Sequence, residues 1–226
     1  YIQAGPSGEK TGCAFSARGA IIDLPGVAGD LSYGELTPLR SDIMGPFRFA
    51  PGMECRHSVF SVRHRVDGEL EVNGRRMRFE DGSGYIEGDR GTSFPRRYLW
   101  TQCNWEDNSL MLSVAEIPYL GARFTGLTGF VFFGGREYRV ATYRGAKLPL
   151  ICGGAAVVRQ GPLALSVELL ERGGHALLAP VRGGMTRVIR ENICCRARYR
   201  FAIEGEMLFE FVSDRASFED DWSKRE

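Results

Sequence analysis

The chain has 226 residues, in which 29 lysines and arginines balance 28 acidic residues for a formal charge of +1. There is no net field to gather nucleic acid or an anionic membrane. Hydrophobic residues at 43% and charged residues at 25% are globular proportions that exclude a disordered chain, and the length suffices to bury roughly two-thirds of the unfolded surface.

In chain order, the sequence opens at Tyr1 on a strand-like run, which leaves room for natural sequence upstream. HSVFSVRHRVDGELEVNGRRMRFEDG, residues 57 to 82, alternates with period two and is punctuated by Asp67-Gly68 and Asn73-Gly74, dipeptides that take the positive φ of tight hairpin turns. The glycine-rich EDGSGY, 80 to 85, is a boundary candidate between a unit over 1–82 and one over 83–226. Further hairpin candidates are SLMLSVAEI (109 to 117), FVFFGGREYRVATY (130 to 143), LALSVELLERGGHALLAPV (163 to 181) and CRARYRFAIEGEMLFEFV (195 to 212). The best helical candidate is the terminal SFEDDWSKRE. The fold class is all-β, with antiparallel barrels preferred over sandwiches.

The alternating Arg63 and Arg65, and Arg196, Arg198 and Arg200, read as solvated strand faces that discourage edge pairing. Six cysteines without a signal peptide, two of them adjacent at Cys194 and Cys195, read as reduced thiols, and so as a cytoplasmic location with at most peripheral membrane contact. The most apolar stretch, FTGLTGFVFFGG at 124 to 135, is too short and too glycine-rich for a membrane span.

No glycine-rich phosphate loop opens a helix, and no G-x-S-x-G elbow is present. The three histidines, His57, His64 and His175, lack zinc-site spacing. Cys55 and His57 share a strand face at i and i+2 but have no partner cluster. No metal and no cofactor are assigned.

Chemistry concentrates in GYIEGDRGTSFPRRYLWTQCNWED, 84 to 107. As a strand it puts Tyr85, Glu87 and Asp89 on one face. Facing inward, desolvation and mutual repulsion would leave one carboxyl protonated and able to donate; facing outward, both are surface charges. Further on, Tyr98, Trp100, Gln102 and Asn104 share one face, and Leu99, Thr101, Cys103 and Trp105 the other. Aromatic π-faces stabilise a nearby cation by about 1 kcal/mol or more, although for any single tryptophan core filling is the better reading. An acid beside such rings suits protonation of an alkene and capture of the carbocation by oxygen, with Gln102 or Asn104 orienting the nucleophile. Glu54 and His57 form a second acid/base candidate, equally open to a structural reading.

The run Gly84-Tyr85-Ile86-Glu87-x-Asp89, Gly91-x-Ser93-Phe94-Pro95, Trp100-x-Gln102-x-Asn104 resembles the signature of the tocopherol cyclase-like family, especially its bacterial members. Ile43 to Phe47, Met53-Glu54-Cys55-x-His57, LMLSVAEIPYLGARFTG at 110 to 126 and YRVATYRGAKL at 138 to 148 extend the resemblance over about residues 36 to 150. It implies two lipocalin-like β-barrel units, the first incomplete at its N-terminus, a fold shared with carotenoid hydratases. It also implies an apolar prenyl or isoprenoid ligand at a barrel mouth. The implied activity is that of an intramolecular lyase of the isomerase class, closing a chromanol ring on a prenylated quinol. Glu87 and Asp89 become candidate donors, with Tyr85, Arg90, Phe94, Tyr98, Trp100, Gln102, Asn104 and Trp105 lining the substrate. Arg90 departs from the family pattern, which has an aromatic there, and a guanidinium repels a carbocation. Two alternatives are a non-enzymatic carrier of an apolar small molecule and a structural protein with filled barrels.

Overall fold

The computed structural model describes residues 2–4, 10–119, 121–171 and 173–222. These contain no α-helix; the non-strand elements include two 3-10 turns, Gly45–Phe49 and Thr142–Arg144. Two short strands, β1 (Ile2–Ala4) and β2 (Lys10–Gly12), pair with each other. The expected all-β class is the one observed, with antiparallel sheets throughout the described residues.

The chain divides into two compact units, residues 1–39 with 59–87, and residues 40–58 with 88–226. In the first, β3 (Ala14–Ser16), β4 (Gly19–Leu24) and β5 (Val27–Tyr33) precede β6 (Cys55–Val72) and β7 (Arg75–Gly91) in one sheet of order β3-β4-β5-β6-β7. Asn73 and Gly74, at φ +50° and +76°, make the expected turn between β6 and β7, because both central positions of such a turn need positive φ. Asp67-Gly68 does not turn. It lies inside β6, opposite Ser32 and Leu31 of β5, and a Cβ on Gly68 would overlap the Asp30 carbonyl oxygen. The glycine there permits close strand approach rather than chain reversal. EDGSGY likewise runs as uninterrupted strand within β7.

The second unit carries β8 (Tyr98–Trp105), β9 (Asn108–Tyr119), β10 (Ala122–Phe133), β11 (Arg136–Ala141), β12 (Lys147–Cys152) and β13 (Ala155–Gln160). It continues with β14 (Leu163–Leu169), β15 (His175–Val181), β16 (Gly184–Ile203) and β17 (Glu206–Asp220). The antiparallel order is β11-β10-β9-β8-β17-β16-β14-β13-β12, with β15 on β16. The 163–181 stretch is not a hairpin: β16, 20 residues long, pairs with β15 over its first half and with β14 over its second. The terminal helix is also corrected. Ser217 to Asp220 are strand, paired with Gln102 to Leu99, and residues 223–226 lie outside the described ones.

Alternation builds the second unit's core. Leu99, Cys103, Leu110, Leu112, Val114, Val131, Val158, Val167, Tyr199, Phe201 and Phe218 converge on one side of the sheet, and all are fully or almost fully buried, each large apolar side chain contributing about 1.5–3 kcal/mol. On the outer face Arg198 and Arg200 pair across strands with Glu168 at 2.9 Å and Glu210 at 2.7 Å, as expected of a solvated strand face. Gln160 connects β13 to β11 by its side chain, its Oε1 accepting from Ala141 N–H at 2.9 Å and its Nε2 donating to the Arg139 carbonyl at 2.8 Å.

Candidate functional site

The site is built where β6 begins and β7 ends, within the second unit. Cys55 and His57, two residues apart on β6, present their side chains to the same neighbour, Asp89 on β7. His57 Nδ1 lies 3.0 Å and Cys55 Sγ 3.5 Å from Asp89 Oδ1. The His57 side chain is 11% exposed and that of Asp89 35%, so the pair has one dry member and one that reaches water. Burial, then the Asp89 charge and hydrogen bond, pushes the Cys55 thiol up to about 12; it remains a thiol and donates. Gly91 lets the strands close here. A Cβ on it would overlap the Glu54 carbonyl oxygen, which accepts from Thr92 N–H at 2.8 Å and Ser93 N–H at 3.4 Å.

Beside this pair opens a cavity of about 550 Å³. His57, Ser58, Arg90 and Gly91 form one part of its wall; Asp42, Met44, Arg48, Met53 and Arg56 form the rest. The 40–50 segment is irregular, so its backbone needs partners from elsewhere. Arg139, with its side chain 2% exposed, supplies them by donating to the Ser41 carbonyl at 2.9 Å and the Asp42 carbonyl at 3.0 Å while pairing with Glu137 at 2.9 Å. Thr128 and Tyr143 hydroxyls donate to the Ile43 carbonyl at 2.6 and 3.2 Å. Phe47 packs on Phe124 and Tyr143 at centroid distances of 5.9 and 6.2 Å.

The other expected site residues are distributed. Tyr85 and Glu87 belong to the first unit, where the Tyr85 hydroxyl donates to Glu87 Oε2 at 2.6 Å and both are half-buried. The Glu54 residue is exposed, and the partner of His57 is Asp89. On β8, Tyr98 and Trp100 meet Phe94, Ala179 and Ile189 in a small apolar cluster, Phe94 edge-on to Tyr98 at 6.1 Å. Tyr98 donates to Glu219 at 2.6 Å, and burial, then the Glu219 charge, pushes its hydroxyl up. Gln102 donates to Asn104 at 2.8 Å on the same face. Trp105 is on the opposite face, packed against Phe211 at 4.6 Å and Phe209 at 5.0 Å.

Sequence reasoning passed over Asp42, Met44, Arg48, Met53, Arg56 and Ser58 as chemistry, and Cys55 as a partner of Asp89. The shared face of Cys55 and His57 was the available signal for the dyad; irregular loop residues carry no periodicity that would reveal a cavity wall. Among the described residues no group of three or more His, Cys, Asp or Glu side chains gathers to hold a metal ion, and no helix is long and apolar enough to cross a membrane.

Residues 31–123, less than half of the chain, match the model of the tocopherol cyclase-like family, so the resemblance carried by the 84–107 segment is shown; the match ends before the 138–148 stretch. A rice protein (Oryza sativa subsp. japonica) named "Probable tocopherol cyclase, chloroplastic" is 29% identical over 72 residues, which are 32% of this chain and 15% of that protein. The crystal structure of kievitone hydratase from Nectria haematococca superposes with a TM-score of 0.56 at 10% identity, covering 90% of this chain and 65% of the hydratase. At that identity the likeness is one of fold. The chain spans less than two-thirds of the length of either relative.

Proposed function

We propose that this protein is an acid-initiated cyclase or hydratase of a prenylated quinol or related isoprenoid lipid, with Asp89 as proton donor and His57 as the residue that holds it. The observation carrying this reading is the 3.0 Å contact between His57 Nδ1 and Asp89 Oδ1 beside the cavity. In this reading His57 holds Asp89 through Oδ1 while the Asp89 carboxyl delivers a proton to the substrate. That proton adds to the ring-proximal CH of the first prenyl double bond, leaving a tertiary cation. A quinol oxygen, or water, forms the C–O bond and returns a proton to Asp89, so the cyclisation is a net isomerisation and the hydration a net addition of water. Family membership of the segment that holds Asp89 supports this chemistry, and so does the Met44 and Met53 surface available to an apolar tail.

The roles are divided accordingly. Asp89 acts on the reacting atoms, His57 positions it and Arg90 faces the substrate; Phe94, Tyr98 and Trp100 shape the neighbouring strand, and Trp105 supports the core. Glu87, hydrogen-bonded to Tyr85, is the alternative donor. A unit cation about 4 Å from a guanidinium is opposed by about 4 kcal/mol at an effective dielectric of about 20, so the arginines must be offset by the substrate itself.

The test is turnover of a prenylhydroquinone, read by chromatography as conversion to a chromanol of unchanged mass. Asp89→Asn is expected to abolish it while circular dichroism stays unchanged; retained turnover would remove Asp89 as donor. Stoichiometric binding of the quinol with no conversion would establish a carrier instead.

A further inference from the structure

The cavity wall is cationic, which an apolar ligand alone does not call for. Arg48, Arg56 and Arg90 face it with Asp42 as the opposing carboxylate. Asp42 neutralises little of this, since its contact with Arg48 is long, at 3.7 Å, and its Oδ1 accepts from Met44 N–H at 2.8 Å. Arg56 makes a 3.4 Å bond to the Ala50 carbonyl, a neutral acceptor. Arg90 has no hydrogen bond or ion pair among the described residues. Asp89, next to it in sequence, is engaged by His57 and Cys55. All three arginines are exposed, Arg48 also stacking on the Phe49 ring at 4.8 Å, and such planar guanidinium forks match carboxylate and phosphate oxygens, while Met44 and Met53 supply adaptable apolar surface in the same cavity.

We infer that this cavity seats the head of an amphiphile whose head group is an anion, a carboxylate or a phosphate ester, with its apolar portion on the methionines. The inference narrows the proposed function to the related isoprenoid lipids with a charged head rather than the neutral quinol, and rests on it for placing the reaction alongside. An anionic head also resolves the repulsion that Arg90 would otherwise impose. Together with Asp42 the head group offsets part of the charge of the three guanidiniums, so a cation forming a few atoms away meets a weaker positive field.

The test compares farnesol, farnesyl phosphate, farnesoic acid and inorganic phosphate by isothermal titration of the full chain. Farnesyl phosphate or farnesoic acid is expected to bind at least about tenfold more tightly than farnesol, a preference that shrinks with added salt. Inorganic phosphate is expected to compete only at much higher concentration. The double variant Arg56→Gln/Arg90→Gln is expected to erase the preference, with an unchanged circular dichroism spectrum reporting that the fold survives. Equal binding of farnesol and both anions, or a preference that survives the double variant, would overturn the inference. Inorganic phosphate competing as well as farnesyl phosphate would overturn the amphiphile in favour of a simple anion site. Binding is read without turnover, so the two proposals separate: an inactive protein that keeps the preference leaves this inference standing, and an active one that lacks it removes this inference alone.

Discussion

His57 and Asp89 are 32 positions apart in sequence and 3.0 Å apart in space, the imidazole Nδ1 against the carboxylate Oδ1. The start of β6 and the end of β7 bring them together, and Gly91 permits the approach because no side chain stands between it and the Glu54 carbonyl.

One consequence concerns Cys55. With its thiol pushed up to about 12 by burial and by Asp89, Cys55 stays a thiol at pH 8 and is a poor nucleophile. Iodoacetamide should modify exposed Cys152 and Cys194 well before Cys55, as read by peptide mass spectrometry. In Asp89→Asn the Cys55 rate should rise, because one of the causes of the shift is gone. Equal rates for Cys55 and the exposed cysteines would contradict the dyad's geometry.

Arg139 is the anchor of the cavity's irregular wall. Arg139→Met should cost about 3–5 kcal/mol, since it leaves buried Glu137 without its cation and two carbonyls without donors. Unfolding in urea checks this, and a loss below about 1 kcal/mol would show that the 40–50 segment is held by other means.

How far the fold and site were legible follows from which signals are local. Asn73-Gly74 was readable as a turn because both residues supply the positive φ themselves. Asp67-Gly68 carries the same signal but lies mid-strand: its glycine serves a neighbouring strand, and the Asp67 carboxylate is taken by Arg65 at 2.6 Å. The β14 and β15 stretches looked like a hairpin because nothing local reveals that both pair with β16. SFEDDW resembles a helix end by composition, and pairing with β8, more than 100 positions earlier, makes part of it strand. In the site, strand alternation correctly separated the Trp100 face from the Trp105 face. It could not pair His57 with Asp89 rather than with nearby Glu54, because that choice depends on register between distant strands. Arg48 and Arg56 sit in or beside irregular chain, where spacing carries no facing information.

Trp105 belongs to an aromatic stack with Phe209 and Phe211, so Trp105→Ala should destabilise by about 3 kcal/mol. The effect should appear in thermal unfolding and leave ligand binding at low temperature unaltered. Weaker ligand binding without loss of stability would instead place the indole at the substrate.

In the first unit, buried His64 meets Ser61 Oγ at 3.0 Å and the Tyr33 ring at 4.8 Å, and burial holds its pKa below the ordinary 6.5. Folding therefore favours the neutral ring. Its contribution is complete above about pH 6.5 and is lost as pH falls below that value, where the unfolded chain takes up the proton first. The melting temperature of the native protein should drop between about pH 8 and about pH 5, and His64→Gln should flatten that slope. An unchanged slope would exclude His64 as its source.

Proton transfer from Asp89 to carbon is the central claim, and deuterium incorporation tests it most directly. A prenylhydroquinone incubated with the protein in D₂O should give a chromanol carrying one non-exchangeable deuterium on the ring carbon adjacent to the new C–O centre, and Asp89→Asn should give none. A product formed without deuterium on carbon, or labelled equally by Asp89→Asn, would contradict the account.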